Sequence, residues 1–351
     1  MNIFDIAKET GFSIATVSRA INNSGYVSEK TRAKIMKVIE ENNYSVNAFA
    51  RGMATSSMSQ VGIVSTDSRD IYQAESIYYL QNELKAKGYT SLLTCSGIDL
   101  KDKQQAISLL LSRNVDAIFL IGSQFIEPKA RDNEYLKDAA KKVPVFLMNG
   151  ALKDPNIYSI RCDDEAGSAS VTRLVLENGA KNPLMIMRRR TYSSAKKMRG
   201  FEKACKEAGI DPTDRILQNG HLDGMLEGLT DLLDNREYDA LVCADDALAA
   251  SAIKYCLHQN LRIPEDVQIT GYNNSSLSHI AIKDITSYDN RIEYLCSTAV
   301  SLMNQVFDRQ EVPADSVYTG KIIERESTRK KEEKPKIKTS RAEMDEDEYL
   351  F

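Results

Sequence analysis

Two hydrophobic periodicities divide the chain. In residues 3–22, IFDIAKETGFSIATVSRAIN, apolar positions recur at helical spacing. Ile6 and Ala7 form the inner face of a first helix, and Gly11 marks a turn where a positive φ carries no penalty. Ser13 offers a hydroxyl to cap a second helix, whose buried face carries Val17 and Ile21. Ser28 caps a third helix, SEKTRAKIMKVIEENNY, with Glu29 in its first turn and Ile35, Val38 and Ile39 turned inward. Helices this short make a compact headpiece with one small core, marginal by itself.

From Gln60 the pattern changes to alternation. The short apolar runs VGIVS, TSLLTC, DAIFLI and PVFLM alternate with amphipathic stretches at 71–86, 101–113 and 134–141. A second series begins after Arg161. It has helices over 165–178, 194–208, 222–234 and 247–259, separated by the strands PLMIM, RILQ, ALVCA and VQITGY. Strands alternating with helices predict βαβ units on a parallel sheet, and two series predict two similar lobes. The fold class is therefore α/β behind an all-helical headpiece.

Candidate chemistry follows from these elements. On the second helix Ile14, Ala15, Ser18, Arg19 and Asn22 point outward. Small apolar, hydroxyl, guanidinium and amide groups in such a set suit base edges in a major groove. In the lobes, ligands of open α/β sheets sit beyond the carboxyl ends of strands. Those ends carry Asp67, Asp70 and Tyr72, then Asn149, then Asp245 and Asp246, and finally Asn273. Asx residues also favour turns for local reasons.

Composition narrows the function. A chain of 351 residues suits a headpiece plus two lobes. Its net charge of −4 excludes a uniformly basic surface, but Lys8, Arg19, Lys30, Arg32, Lys34, Lys37 and Arg51 give local positive charge where the headpiece needs it. Six cysteines lack CxxC pairs or metal-like spacing, which with no signal peptide reads as reduced thiols of a cytoplasmic protein. No apolar run approaches the roughly 18 residues of a membrane span. None of the three histidines His221, His258 and His279 stands beside a plausible Ser or Cys nucleophile constellation, and no glycine-rich phosphate loop follows a strand, so an enzyme is not expected. No cofactor or metal is expected either. A transporter's solute receptor would share the lobes but not the headpiece.

The stretches DIAKETGFSIATVSRAIN, VSEKTR, NNYSVNAFARGMAT, ADDALAASAIKYCLHQNLRIPEDVQITGYNN and IIERESTRK resemble the lactose-repressor/galactose-repressor (LacI/GalR) family of bacterial transcription regulators. The resemblance implies a helix-turn-helix headpiece over 1–45 and a hinge over 46–59. It further implies a two-lobed periplasmic-binding-protein-like core, with lobes 60–161 plus 290–315 and 162–289 plus 316–328. The charged tail 329–351 is too poor in apolar residues to fold. DNA contacts are implied at Ser13, Ile14, Ala15, Ser18, Arg19, Asn22, Tyr26, Ser28 and Thr31, and at Asn47, Ala50 and Met53 of the hinge, where Met53 takes the place of a minor-groove wedge.

Effector contacts are implied at Asp70, Tyr72, Asn149, Lys197, Leu222, Asp246 and Asn273, in a cleft between the lobes. Lys197 replaces a ligand-gripping arginine, Leu222 an aromatic wall and Asn273 an aspartate, while Lys283 and Asp284 stand where relatives have two prolines. The function implied is a dimeric repressor of a carbohydrate-utilisation operon, binding a palindromic operator on double-stranded DNA under control of a sugar-like effector. The alternative is a catabolite-control regulator governed by a protein partner, towards which Ile14-Ala15 leans.

Overall fold

The computed structural model describes residues 3–22, 25–42, 58–218 and 225–330. The headpiece consists of α1 (Ile3–Thr10), α2 (Ile14–Asn22) and α3 (Glu29–Glu41). Gly11 takes φ +75 and donates its N–H to the Ala7 carbonyl, closing α1. The hydroxyls of Ser13 and Ser28 accept the N–H groups of Thr16 (3.2 Å) and Thr31 (3.3 Å), satisfying orphan donors at the starts of α2 and α3. Ile6, Val17, Ala20, Ile35 and Ile39 form the core, with Ala7, Ile21 and Val38 partly buried around it. Two cations tie the helices together. Arg32 donates to the carbonyl of Ala20 at 2.8 Å, and Lys34 to that of Thr10 at 3.1 Å.

The chain continues through β1 (Gln60–Ser65), α4 (Ile71–Ala86), β2 (Thr90–Cys95), α5 (Leu100–Ser112), β3 (Ala117–Ile121), α6 (Glu134–Ala140), β4 (Val145–Met148) and β5 (Ile157–Cys162). Next come α7 (Asp164–Glu177), β6 (Pro183–Met187), α8 (Tyr192–Glu207), β7 (Ile216–Gln218), α9 (Met225–Leu233), β8 (Ala240–Cys243) and α10 (Asp246–His258). It closes with β9 (Gln268–Tyr272), α11 (Leu277–Ile280), β10 (Thr286–Asp289), α12 (Ile292–Phe307), β11 (Asp315–Tyr318) and β12 (Lys321–Ile323). Two compact units result. The first holds Met1–Arg161, Thr191–Ser193 and Arg291–Tyr318, the second Cys162–Arg190, Ser194–Asn290 and Thr319–Phe351.

The first unit's sheet has the order β11-β5-β4-β3-β1-β2, parallel from β5 to β2. Its central strands are buried on both faces, which is why they read as unbroken apolar runs. Ile118 and Leu120 pack with Ile107, Leu110 and Leu136 on one side, and Phe119 and Ile121 with Leu80, Leu84 and Leu295 on the other. Gly62 lets α5 lie close, since a Cβ there would stand 2.7 Å from the Leu110 side chain.

The second unit's sheet runs β12-β10-β9-β8-β6-β7, parallel except for the β10–β12 pair. Its core gathers Ile186, Leu241, Ile269, Phe201, Leu248 and Ile253. Here too a glycine sets an approach. A Cβ on Gly200 of α8 would lie 2.2 Å from the Glu165 carbonyl of α7, so the two helices meet backbone to backbone.

Six elements lie outside the expected series: β5, α11, β10, α12, β11 and β12. In β5, Tyr158, Ser159 and Arg161 interrupt the apolar run because the strand lies next to the sheet edge, where Arg161 pairs with Asp315 of β11 at 2.7 Å. The helix expected over 222–234 spans Met225–Leu233, residues 219–224 lying outside the described ones.

Candidate functional site

On the headpiece, Ser13, Ile14, Ala15 and Arg19 are exposed and Ser18 half-buried, all on the face of α2 opposite Val17 and Ala20. Ile14 is 42% exposed on the face that α2 turns away from the headpiece core. Tyr26 is 92% exposed in the following turn, and Ser28 and Thr31 stand at the start of α3. Asn22 ends α2. The side chain of Asn22, together with Asn47, Ala50 and Met53 of the expected hinge, lies outside the described residues.

At the carboxyl edge of the first unit's sheet, Asp70 caps α4 through the Gln73 N–H at 3.1 Å. Tyr72 is half-buried in the first turn. Gln73, which the sequence reading passed over, is buried and takes the Ser65 hydroxyl and the Thr66 N–H on its amide oxygen, locking the end of β1 to α4. Asn149 follows β4 with φ +62, a conformation Asn tolerates better than other non-glycine residues, and its N–H bonds Ile160 at 2.9 Å.

In the second unit Asn273 follows β9 with φ +95, its side-chain oxygen accepting from Asn290 at 3.0 Å. Two other expected contacts are engaged internally. Lys197 is buried, donates to the Ala244 carbonyl at 2.7 Å and lies 3.6 Å from the Tyr272 ring centre. Burial pushes its pKa down, against the opposing pull of Asp164, Asp245 and Asp246. Asp246, 1% exposed, accepts from the Ser275 N–H (2.6 Å), the Ser275 hydroxyl (2.8 Å) and the Ser287 hydroxyl (2.6 Å). Burial raises its pKa to about 6 despite those bonds. These two groups therefore brace the ends of β8, β9 and β10. Leu222 lies outside the described residues.

Arg188 pairs with Asp245 at 2.9 Å, joining the ends of β6 and β8. The signal was present in the sequence as the arginine run Arg188–Arg190 directly after the strand PLMIM. Among the described residues no group of His, Cys, Asp or Glu is arranged to hold a metal, and no helix is long and apolar enough to cross a membrane. Five of the six cysteines are buried free thiols, Cys95 being exposed.

Residues 2–47 match the sequence profile of bacterial regulatory proteins of the lacI family, and residues 172–328 that of a periplasmic binding protein-like domain. An HTH-type transcriptional regulator of Lachnoclostridium phytofermentans is 37% identical over 333 residues, covering 93% of this chain and 99% of the relative. The chain belongs to the LacI family. A catabolite control protein A of Priestia megaterium is 26% identical over 336 residues, covering 94% of this chain and 99% of its own. The LacI-family fold is shared with the lac repressor dimer bound to operator and the anti-inducer ONPF, at a TM-score of 0.81, 20% identity, and 93% and 99% coverage. As a LacI-family member the protein is a DNA-binding transcriptional regulator and not an enzyme.

Proposed function

We propose that the protein is a cytoplasmic, effector-controlled repressor that binds a palindromic operator as a homodimer and answers to a sugar or sugar derivative. The carrying observation is the exposed face of α2, held on a headpiece with its own core. Ser13, Ile14, Ala15, Ser18, Arg19, Asn22, Tyr26, Ser28 and Thr31 read and grip the DNA, supported by Asn47, Ala50 and Met53 of the hinge segment. Tyr72, Asn149 and Asn273 contact the effector together with Asp70 and Leu222, while Lys197 and Asp246 act from beneath as supports.

Exposed apolar side chains support self-association, Tyr78, Leu93 and Ile98 in the first unit and Leu257, Ile280 and Ile282 in the second. The lac repressor of similar fold is itself a dimer on an operator. A two-fold dimer needs symmetric half-sites. Selection of bound duplexes from random DNA, with sedimentation of the complex, tests the reading. A palindrome bound by two chains is expected, and a single chain on an asymmetric site overturns it. Adding a panel of sugars then tests control, whereas release by a phosphorylated sugar-transport carrier protein alone favours the partner-governed alternative.

A further inference from the structure

The chain enters the second unit at Cys162, leaves it at Asn290 and re-enters at Thr319, besides the short excursion Thr191–Ser193. One side chain meets all three passages. Tyr288 lies in β10, two residues before the exit, and is 4% exposed. Its hydroxyl accepts the Gly320 N–H at 2.7 Å, just past the re-entry, and lies within interaction reach of the Cys162 thiol at the entry. Two glycines make room for the ring. A Cβ on Gly167 would stand 2.7 Å from Tyr288, and one on Gly320 would stand 2.0 Å from the Asp289 carbonyl and 2.7 Å from the same ring. Beneath, Tyr288 stacks on Tyr272 at 4.9 Å, and the Tyr272 hydroxyl donates to Asp164 at 3.0 Å.

We infer that Tyr288 is a positioning residue that ties the three passages into one piece, so that a signal from the effector reaches the headpiece through all of them together. The inference rests on the effector-controlled reading above. Asn273, an effector contact in that reading, donates its N–H to the Tyr288 carbonyl at 2.8 Å and accepts from Asn290. Its displacement therefore pulls on β10 on both sides of Asp289. Stiffness at this point comes from the packed Tyr288 ring, for which Gly167 and Gly320 leave room. Coupling of this kind needs an element with two discrete arrangements that both sites bias.

Hydrogen–deuterium exchange on the full chain, with and without a palindromic duplex selected by the wild-type protein, tests the inference. In the wild type, the duplex should change protection at 162–164, 287–290 and 319–322 by one common factor. Tyr288→Phe keeps the ring and its stack. It should speed exchange in the three segments by roughly tenfold and give each its own response to the duplex, with β6 and β8 unchanged. Faster exchange at Gly320 alone overturns the inference and leaves the repressor reading intact. Failure to select a duplex overturns both, whereas a selected duplex without effect on the three segments overturns the inference alone. Should Tyr288→Phe not fold, Cys162→Ala removes one partner only. It should release 162–164 while the other two segments keep their common factor, and a uniform response in all three is the contrary result.

Discussion

Lys197 and Tyr272 form a buried cation–π pair in which the ammonium, 3.6 Å from the ring centre, also bonds the Ala244 carbonyl. A cation so enclosed is worth more to the fold than to a ligand, because reaching out would strip two partners from it at once. Lys197→Met keeps the length of the side chain and deletes the charge. It should destabilise the protein by about 2–3 kcal/mol in urea denaturation. Retention of full stability, with loss of effector response, would return Lys197 to the effector's direct contacts.

Asp246 titrates in the opposite sense to a salt-bridged carboxylate. Its folded pKa of about 6 lies above its ordinary 3.8, so between those values the folded state holds the proton more tightly, and the group's contribution to stability falls as pH rises through that window. Asp246→Asn should remove this slope. Relative to the variant, the wild type should lose about 2 kcal/mol between pH 4 and pH 7. Parallel stability curves for the two proteins would show that Asp246 ionises as an ordinary carboxylate.

Gly200→Ala places a methyl 2.2 Å from the Glu165 carbonyl, a backbone atom that cannot swing aside. Separating α7 from α8 should cost about 3 kcal/mol and lower the melting temperature by several degrees. Gly88→Ala, at a turn with open space but φ +83, is the control for backbone strain alone.

Arg19 is exposed on α2, and its stem passes within 3.5 Å of where a Cβ on Gly25 would sit. Arg19→Ala should weaken operator binding by about 1–3 kcal/mol and random-sequence binding by less. Equal losses on both duplexes in a titration at fixed salt would make Arg19 a phosphate contact.

The central strands of both sheets were legible because parallel strands covered on both faces, such as Ala117–Ile121 and Pro183–Met187, need no polar alternation. The caps Ser13 and Ser28 were legible because capping is local. Strand β5 was not, since its Arg161 answers to Asp315, 154 residues further along the chain. The same reason hides the true surroundings of Lys197 and Asp246. The sequence places both near strand ends, but their partners Ala244, Tyr272, Ser275 and Ser287 come from three later segments.

The headpiece spends its cations with economy. Arg32 and Lys34 are turned onto the carbonyls of Ala20 and Thr10, and Lys37 lies 3.7 Å from Glu41. A cation held to a neutral carbonyl keeps its charge but loses its reach, so counterion release from a duplex falls first to the exposed Lys8, Arg19 and Lys30. Arg32 and Lys34 thus hold the spacing of the three helices, and the face of α2 reaches a groove already in its final shape.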